Sequence, residues 1–197
     1  EGTDGYDVFG TIIKGRKGAE KRVLKGKGFR LEEDKKTYTA MFNGMIRLED
    51  EELSVINHVE LDEINMTTGN IFFDGSIHIR GNVSSGMTVK ATGDIMIDGN
   101  VEMATIETDG SVMLKKGMNA SGNGMVKAGK DVFSRFFDAT TVEAGGNIEV
   151  DKCLNSQLYA KGMITANRIF AGGIASSESG FHLNNVGNHA GLKTVLK

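Results

Sequence analysis

Ile71, Ile77, Val83, Val89, Ile95 and Val101 fall six residues apart without a break. The register returns in pieces further on, through Ile106, Val112 and Met118, then Val126 and Val132, then Val142, Ile148 and Leu154. Slips between the pieces read as insertions of one or two residues at corners. Inside a hexad the apolar residues alternate, as in Ile77-His78-Ile79-Arg80-Gly81-Asn82 and Ile95-Met96-Ile97-Asp98-Gly99-Asn100. Alternation at period two marks a strand with one face on a core, and Gly followed by a small polar residue is turn chemistry.

A second marker has a longer period. Gly69-Asn70-Ile71, Gly93-Asp94-Ile95, Gly110-Ser111-Val112, Gly146-Asn147-Ile148 and Gly162-Met163-Ile164 all read as a turn followed by a strand start. Their separations of 24, 17, 36 and 16 residues lie near multiples of a coil of about 16–18 if one or two corners carry insertions. Short strands, regular glycine corners and no helix-length pattern predict an all-β fold. The expected architecture is a single-stranded parallel β-helix (a β-solenoid, expected right-handed although the pattern itself does not set the hand). Coils stacked about 4.8 Å apart over residues 64–192 would number roughly seven or eight and rise about 35 Å. One coil cannot hide its inward Ile, Val and Met side chains, but its neighbours cover them. Glycine is expected at corners for its access to positive φ, and the proline count of 0 fits strands that cannot spare an N–H.

The first sixty residues follow another pattern. Glycines from Gly2 to Gly28 break up short runs such as Thr11-Ile12-Ile13, and Thr37–Met41 and Met45–Leu48 read as a hairpin around Asn43-Gly44. The chain therefore divides into a small β-rich cap and lead-in unit, residues 1–63, and a solenoid domain, residues 64–197. The cap is expected to cover an open strand edge that would otherwise invite aggregation.

Composition narrows the class further. A 39% hydrophobic and 25% charged chain is ordinary for a globular protein, and the net charge of −3 favours neither nucleic acid nor a membrane surface. The lone Cys153 excludes a disulfide framework within one chain and fits a reducing compartment. Opening at Glu1 without an initiator methionine or targeting pattern, the sequence reads as an excised piece of something longer.

Several motifs together resemble the flagellar assembly protein A family. They are Thr68–Ile77 continuing through Gly81-Asn82-Val83, Ala91–Glu102, Ala128–Phe136, Val142–Ile148, Ala171-Gly172-Gly173 and the opening Asp4–Gly10. The resemblance spans nearly the whole chain. It implies a β-solenoid in a bacterial cytoplasmic protein linked to flagellar assembly or motility, with no established enzymatic activity and no catalytic residues to carry over. Members usually add a further N-terminal region and a helical C-terminal segment, and often carry prolines near both ends.

Catalytic and metal chemistry are weakly signalled. His58, His78, His182 and His189 are scattered, with no CxxC, HxxxH or HExxH spacing, so no metal, cofactor or catalytic residue is assigned. His78 is expected on the outer surface, and Cys153 as a small buried side chain. Asp74 and Asp98 hold equivalent hexad positions, which would suit a carbohydrate-active β-helix, yet Asp-Gly is equally a turn dipeptide. The residues after the hexad aliphatics (Phe72, His78, Ser84, Lys90, Met96, Glu102) are mostly too large for a hexapeptide acyltransferase. Gly122-Asn123-Gly124 is a turn candidate only.

Charge is uneven near the start. Residues 14–30 carry a net +7 and residues 32–63 a net −7. Lys14, Arg16, Lys17, Lys21, Arg22 and Lys25 form a candidate partner-binding patch, without the interleaved aromatics that single-stranded nucleic acid would want. The expectation is a non-enzymatic scaffold or adaptor in the cytoplasm that binds proteins, not nucleic acid or membrane. A self-assembling, bactofilin-like β-helix filament is the alternative, and a carbohydrate-active enzyme a lesser one.

Overall fold

The computed structural model describes residues 2–16, 18, 26–34, 37–49, 52–187 and 191–197. Every regular element among them is a strand. From His58–Leu61 onward the strands are parallel, and those of the inner windings pair with the windings before and after. This part of the chain is a β-solenoid of about eight windings.

Three ladders run its length. On the first, Val59, Ile77, Ile95, Val112, Val132, Ile148, Ile164 and Phe181 lie in register. On the second, Ile64, Val83, Val101, Met118, Phe137, Cys153, Phe170 and Val186 do so. The third carries Ile71, Val89, Ile106, Val126, Val142, Leu158, Ala175 and Leu196. The six-residue period is now explained: Ile77, Val83 and Val89 are one winding seen on three successive faces. Residues of these columns from the second winding to the seventh form a single core in which most side chains are wholly buried. β-Branched Ile and Val suit such a column because their stiff χ1 packs against identical neighbours on a pleated surface. Each one buried contributes about 1.5–3 kcal/mol before ordering entropy is subtracted.

Windings differ in length where the second face meets the third. In the fifth, sixth and seventh, the strands Val132–Ala144, Ile148–Ala160 and Ile164–Ser177 bend at a shared left-handed position, which the seventh extends to a second residue, Gly173 (φ 88°). The shared position holds Ala139 (φ 48°), Asn155 (φ 48°) and Gly172 (φ 73°), stacked on one another. The fourth winding takes a longer path, with a break in register between Asn119 and Gly124 and positive φ at Ser121 (47°) and Gly122 (92°). The Gly122-Asn123-Gly124 turn candidate is this bulge.

At four of its five members the Gly-x-[Ile/Val] marker has a cause other than positive φ, which holds at Gly69 (φ 73°). Gly93, Gly110, Gly146 and Gly162 do not sit at positive φ. A Cβ at each would instead stand 2.4–2.5 Å from Ser76 Oγ, Asp94 Oδ1, Asp131 Oδ1 or Asn147 Oδ1 of the winding beneath. Those oxygens accept backbone N–H bonds from Asp94 (3.1 Å), Ser111 (2.8 Å), Asn147 (2.7 Å) and Met163 (2.9 Å). Glycine makes room for a ladder of polar caps. The Gly69 member belongs to another face, because Ile71 pairs with Val89, and this accounts for the odd 24-residue interval.

Before the solenoid the described residues form three antiparallel strand pairs. Gly5–Tyr6 pairs with Ile12–Ile13, Phe29–Leu31 with Tyr38–Ala40, and Met45–Glu49 with Glu52–Ile56. The expected hairpin around Asn43-Gly44 is therefore not formed. Tyr38–Ala40 turns back on Phe29–Leu31, where Phe29 and Tyr38 stack edge to face at 4.9 Å. Gly44 is spent on close approach: a Cβ there would lie 2.4 Å from the Ile56 carbonyl oxygen. Leu48 opposite Leu53 and Ile46 opposite Val55 set the register of the last pair.

Candidate interaction surface

Side chains between the inward positions point outward, and the parallel register stacks them into columns. On the third face the column reads Phe72, Lys90, Glu107, Lys127, Glu143, Tyr159 and Ser176. Its charges alternate, and Lys90 Nζ lies 2.6 Å from Glu107 Oε2 and Lys127 Nζ 3.4 Å from Glu143 Oε2. This column satisfies its own charges.

The first face does not. Its outer column runs Glu60, His78, Met96, Met113, Phe133, Glu149, Thr165 and His182. Met113 and Phe133 remain 38% and 37% exposed, enough for a partner to cover. They floor an open groove of about 470 Å³ bordered by Asp98, Lys115, Lys116, Arg135, Glu149 and Asp151. A second groove of about 460 Å³, lined by Arg135, Phe136, Asp151, Lys152 and Arg168, shares Arg135 and Asp151 with it. Glu149 and Asp151 are tied to Asn167, whose Nδ2 donates to Glu149 Oε1 at 3.1 Å and Asp151 Oδ1 at 3.4 Å. Lys115 is paired with Asp98 at 2.8 Å. Among the described residues Lys116, Arg135, Lys152 and Arg168 make no ion pair. An apolar floor with unpaired cations on its rim is the composition of a protein-contact surface.

The carboxylates singled out in the sequence are not brought together. Asp74 follows the third-face strand Ile71–Phe73 and accepts the Thr92 hydroxyl at 2.7 Å. Asp98 follows the first-face strand Ile95–Ile97 and lies between Lys115 and His78, with His78 Nε2 3.1 Å from Asp98 Oδ2. Equal hexad position put them on different faces because three hexads make one winding. The Lys115 ammonium, with His78, holds the Asp98 carboxyl below its ordinary range, the reverse of what a general acid needs. Cys153 is fully buried, and burial pushes its thiol up to about 12.

Of the expected basic patch, Lys14 and Arg16 are exposed just after Ile12–Ile13. Lys17, Lys21, Arg22 and Lys25 lie outside the described residues. The four unpaired cations of the grooves escaped the sequence reading. They are spread over separate windings, and only their spacing of 19, 17 and 16 residues, one winding each time, could have signalled them.

Residues 57–197 match the Flagellar Assembly Protein A beta solenoid domain, and residues 1–51 match the N-terminal region of the same protein. The chain belongs to the flagellar assembly protein A family. Membership in that family ties it to flagellar assembly and accounts for the motif series from Asp4 to Gly173. No curated protein and no solved structure gives a significant match. As a flagellar assembly protein A member it has, among its described residues, no helix long and apolar enough to cross a membrane.

Proposed function

We propose that the chain is a non-enzymatic scaffold that docks an acidic, amphipathic segment of a protein partner during flagellar assembly in the cytoplasm. What carries the reading is the contrast between two faces of one rigid stack. The third-face column neutralises its four central charges through the Lys90–Glu107 and Lys127–Glu143 pairs, whereas the grooves around Phe133 leave Lys116, Arg135, Lys152 and Arg168 unpaired. Stacked windings hold these cations at fixed separations, so a complementary segment binds a preorganised strip without ordering the scaffold first. Met113, Phe133 and Phe136 would supply the apolar contact and the cations the register.

The test is affinity capture from bacterial lysate with the native chain and with an Arg135→Glu/Arg168→Glu variant. Support is a partner retained by the native chain, released by salt and lost from the variant, whose circular dichroism is unchanged. Equal recovery on both proteins would refute the assignment of the strip.

A further inference from the structure

The outer face of the first two windings carries a second chemistry. His58 and Glu60 alternate on the strand His58–Leu61, so both side chains point outward, and Glu60 is in register with His78 of the next winding. One ligand atom from each of the three lies within 4.8 Å of the other two, and His58 Nε2 stands 3.9 Å from Glu60 Oε1. Two imidazoles and one carboxylate are a borderline nitrogen–oxygen donor set, suited to a first-row divalent transition ion and ill suited to Mg²⁺ or Ca²⁺. Ligands about 2.0–2.1 Å from a common tetrahedral ion stand ~3.4 Å apart, so small side-chain rotations close the set.

Neighbouring side chains bear on two of these donors. Arg80 of the second winding pairs with Glu60 Oε2, which leaves Oε1 turned toward His58. Asp98 of the third winding lies 3.1 Å from His78 Nε2, which makes no hydrogen bond, so a small ring rotation would bring this carboxylate into the outer-partner role that orients a metal-bound histidine. Of the neighbouring cations, Lys115 is matched by Asp98, whereas Arg80 shares Glu60 with the ion, which would take Oε1 while Arg80 keeps Oε2. We infer that His58, Glu60 and His78 form a surface site for Zn²⁺ or a similar divalent transition ion, which would clamp the first winding to the second. The absence of a sequential motif does not tell against it, since the ligands come from two windings and only the 18-residue register joins Glu60 to His78.

Zn²⁺ alone is the probe, titrated into the intact chain in competition with a chromophoric chelator. The native chain and a His182→Ala control should each take up one equivalent and melt at higher temperature with the ion than without it. His58→Ala, with its exposed side chain, should keep the fold yet lose both the uptake and the thermal shift, as should Glu60→Gln. Asp98→Asn should bind about tenfold more weakly or worse. Uptake by a His58→Ala/His78→Ala variant equal to that of the native chain would overturn the site, as would no uptake by the native chain.

Discussion

Asn147 Oδ1 accepts the Met163 amide at 2.9 Å and fills the space that a Cβ on Gly162 would need, 2.4 Å away. The cap and the glycine are one device split between two windings. Gly162→Ala would also press on the Gly146 carbonyl carbon at 2.8 Å, so the strain cannot be shed by moving a flexible side chain alone. The substitution should cost about 1–3 kcal/mol, as overpacking does elsewhere. Gly5→Ala, where nothing lies within 4 Å and φ is ordinary, should stay within about 0.5 kcal/mol of the native chain. Urea denaturation of both variants checks the contrast.

Ala139 should respond in the opposite direction. It sits at φ 48°, in the column where the next windings place Asn155 and Gly172. A left-handed conformation costs an L-residue about 1–2 kcal/mol, which glycine escapes at some expense in unfolded-state entropy. Ala139→Gly should therefore leave the free energy of unfolding in urea unchanged or raise it by up to about 1 kcal/mol. A clear loss would show that the methyl group packs usefully at that corner.

The column rule also marks how far sequence alone reaches. The inward residues were legible because Ile95 must resemble Ile77 beneath it and Val112 above it; burial on both sides allows little else. Outward residues obey no such likeness. Glu60, His78 and Met96 share a column without sharing chemistry, so neither the His58–Glu60–His78 group nor the groove around Phe133 left a sequence motif. Positive φ does select glycine at corners such as Gly69 and Gly86, but at Gly93, Gly110, Gly146 and Gly162 the cause is close approach, which selects the same residue. The Asn43-Gly44 hairpin failed for a related reason: the dipeptide suits a turn, but the partner of Tyr38–Ala40 is chosen by pairing with Phe29–Leu31.

Asp98 sets an expected pH response. The Lys115 ammonium, followed by His78, lowers its pKa from the ordinary 3.8, so the folded state holds the carboxylate more acidic than the unfolded chain does. Its contribution to stability is complete above pH 3.8 and fades as the pH falls through the lower folded value. In carboxyl-resolved NMR, Asp98 should titrate below 3.8, and Lys115→Met should move the midpoint upward. An unmoved midpoint would break the assigned pairing.

Cys153 gives the converse case at high pH. Packed between Phe137 and Phe170 on the second ladder, it has no exposed surface, and desolvation raises its pKa from 9.0 to about 12. Below pH 9 both folded and unfolded chains keep the proton, and the thiol leaves stability independent of pH. Between 9.0 and about 12 the unfolded chain ionises first and binds fewer protons, so stability falls as pH rises, by at most about 1.4 kcal/mol per pH unit. Cys153→Ala should flatten that limb relative to the native chain, whatever other groups contribute to it. Native Cys153 should also resist a thiol reagent at pH 8 and label only at the rate of unfolding, since reaction needs the thiolate in contact with solvent. Rapid labelling of the folded protein would mean that the second face opens locally between the fifth and seventh windings.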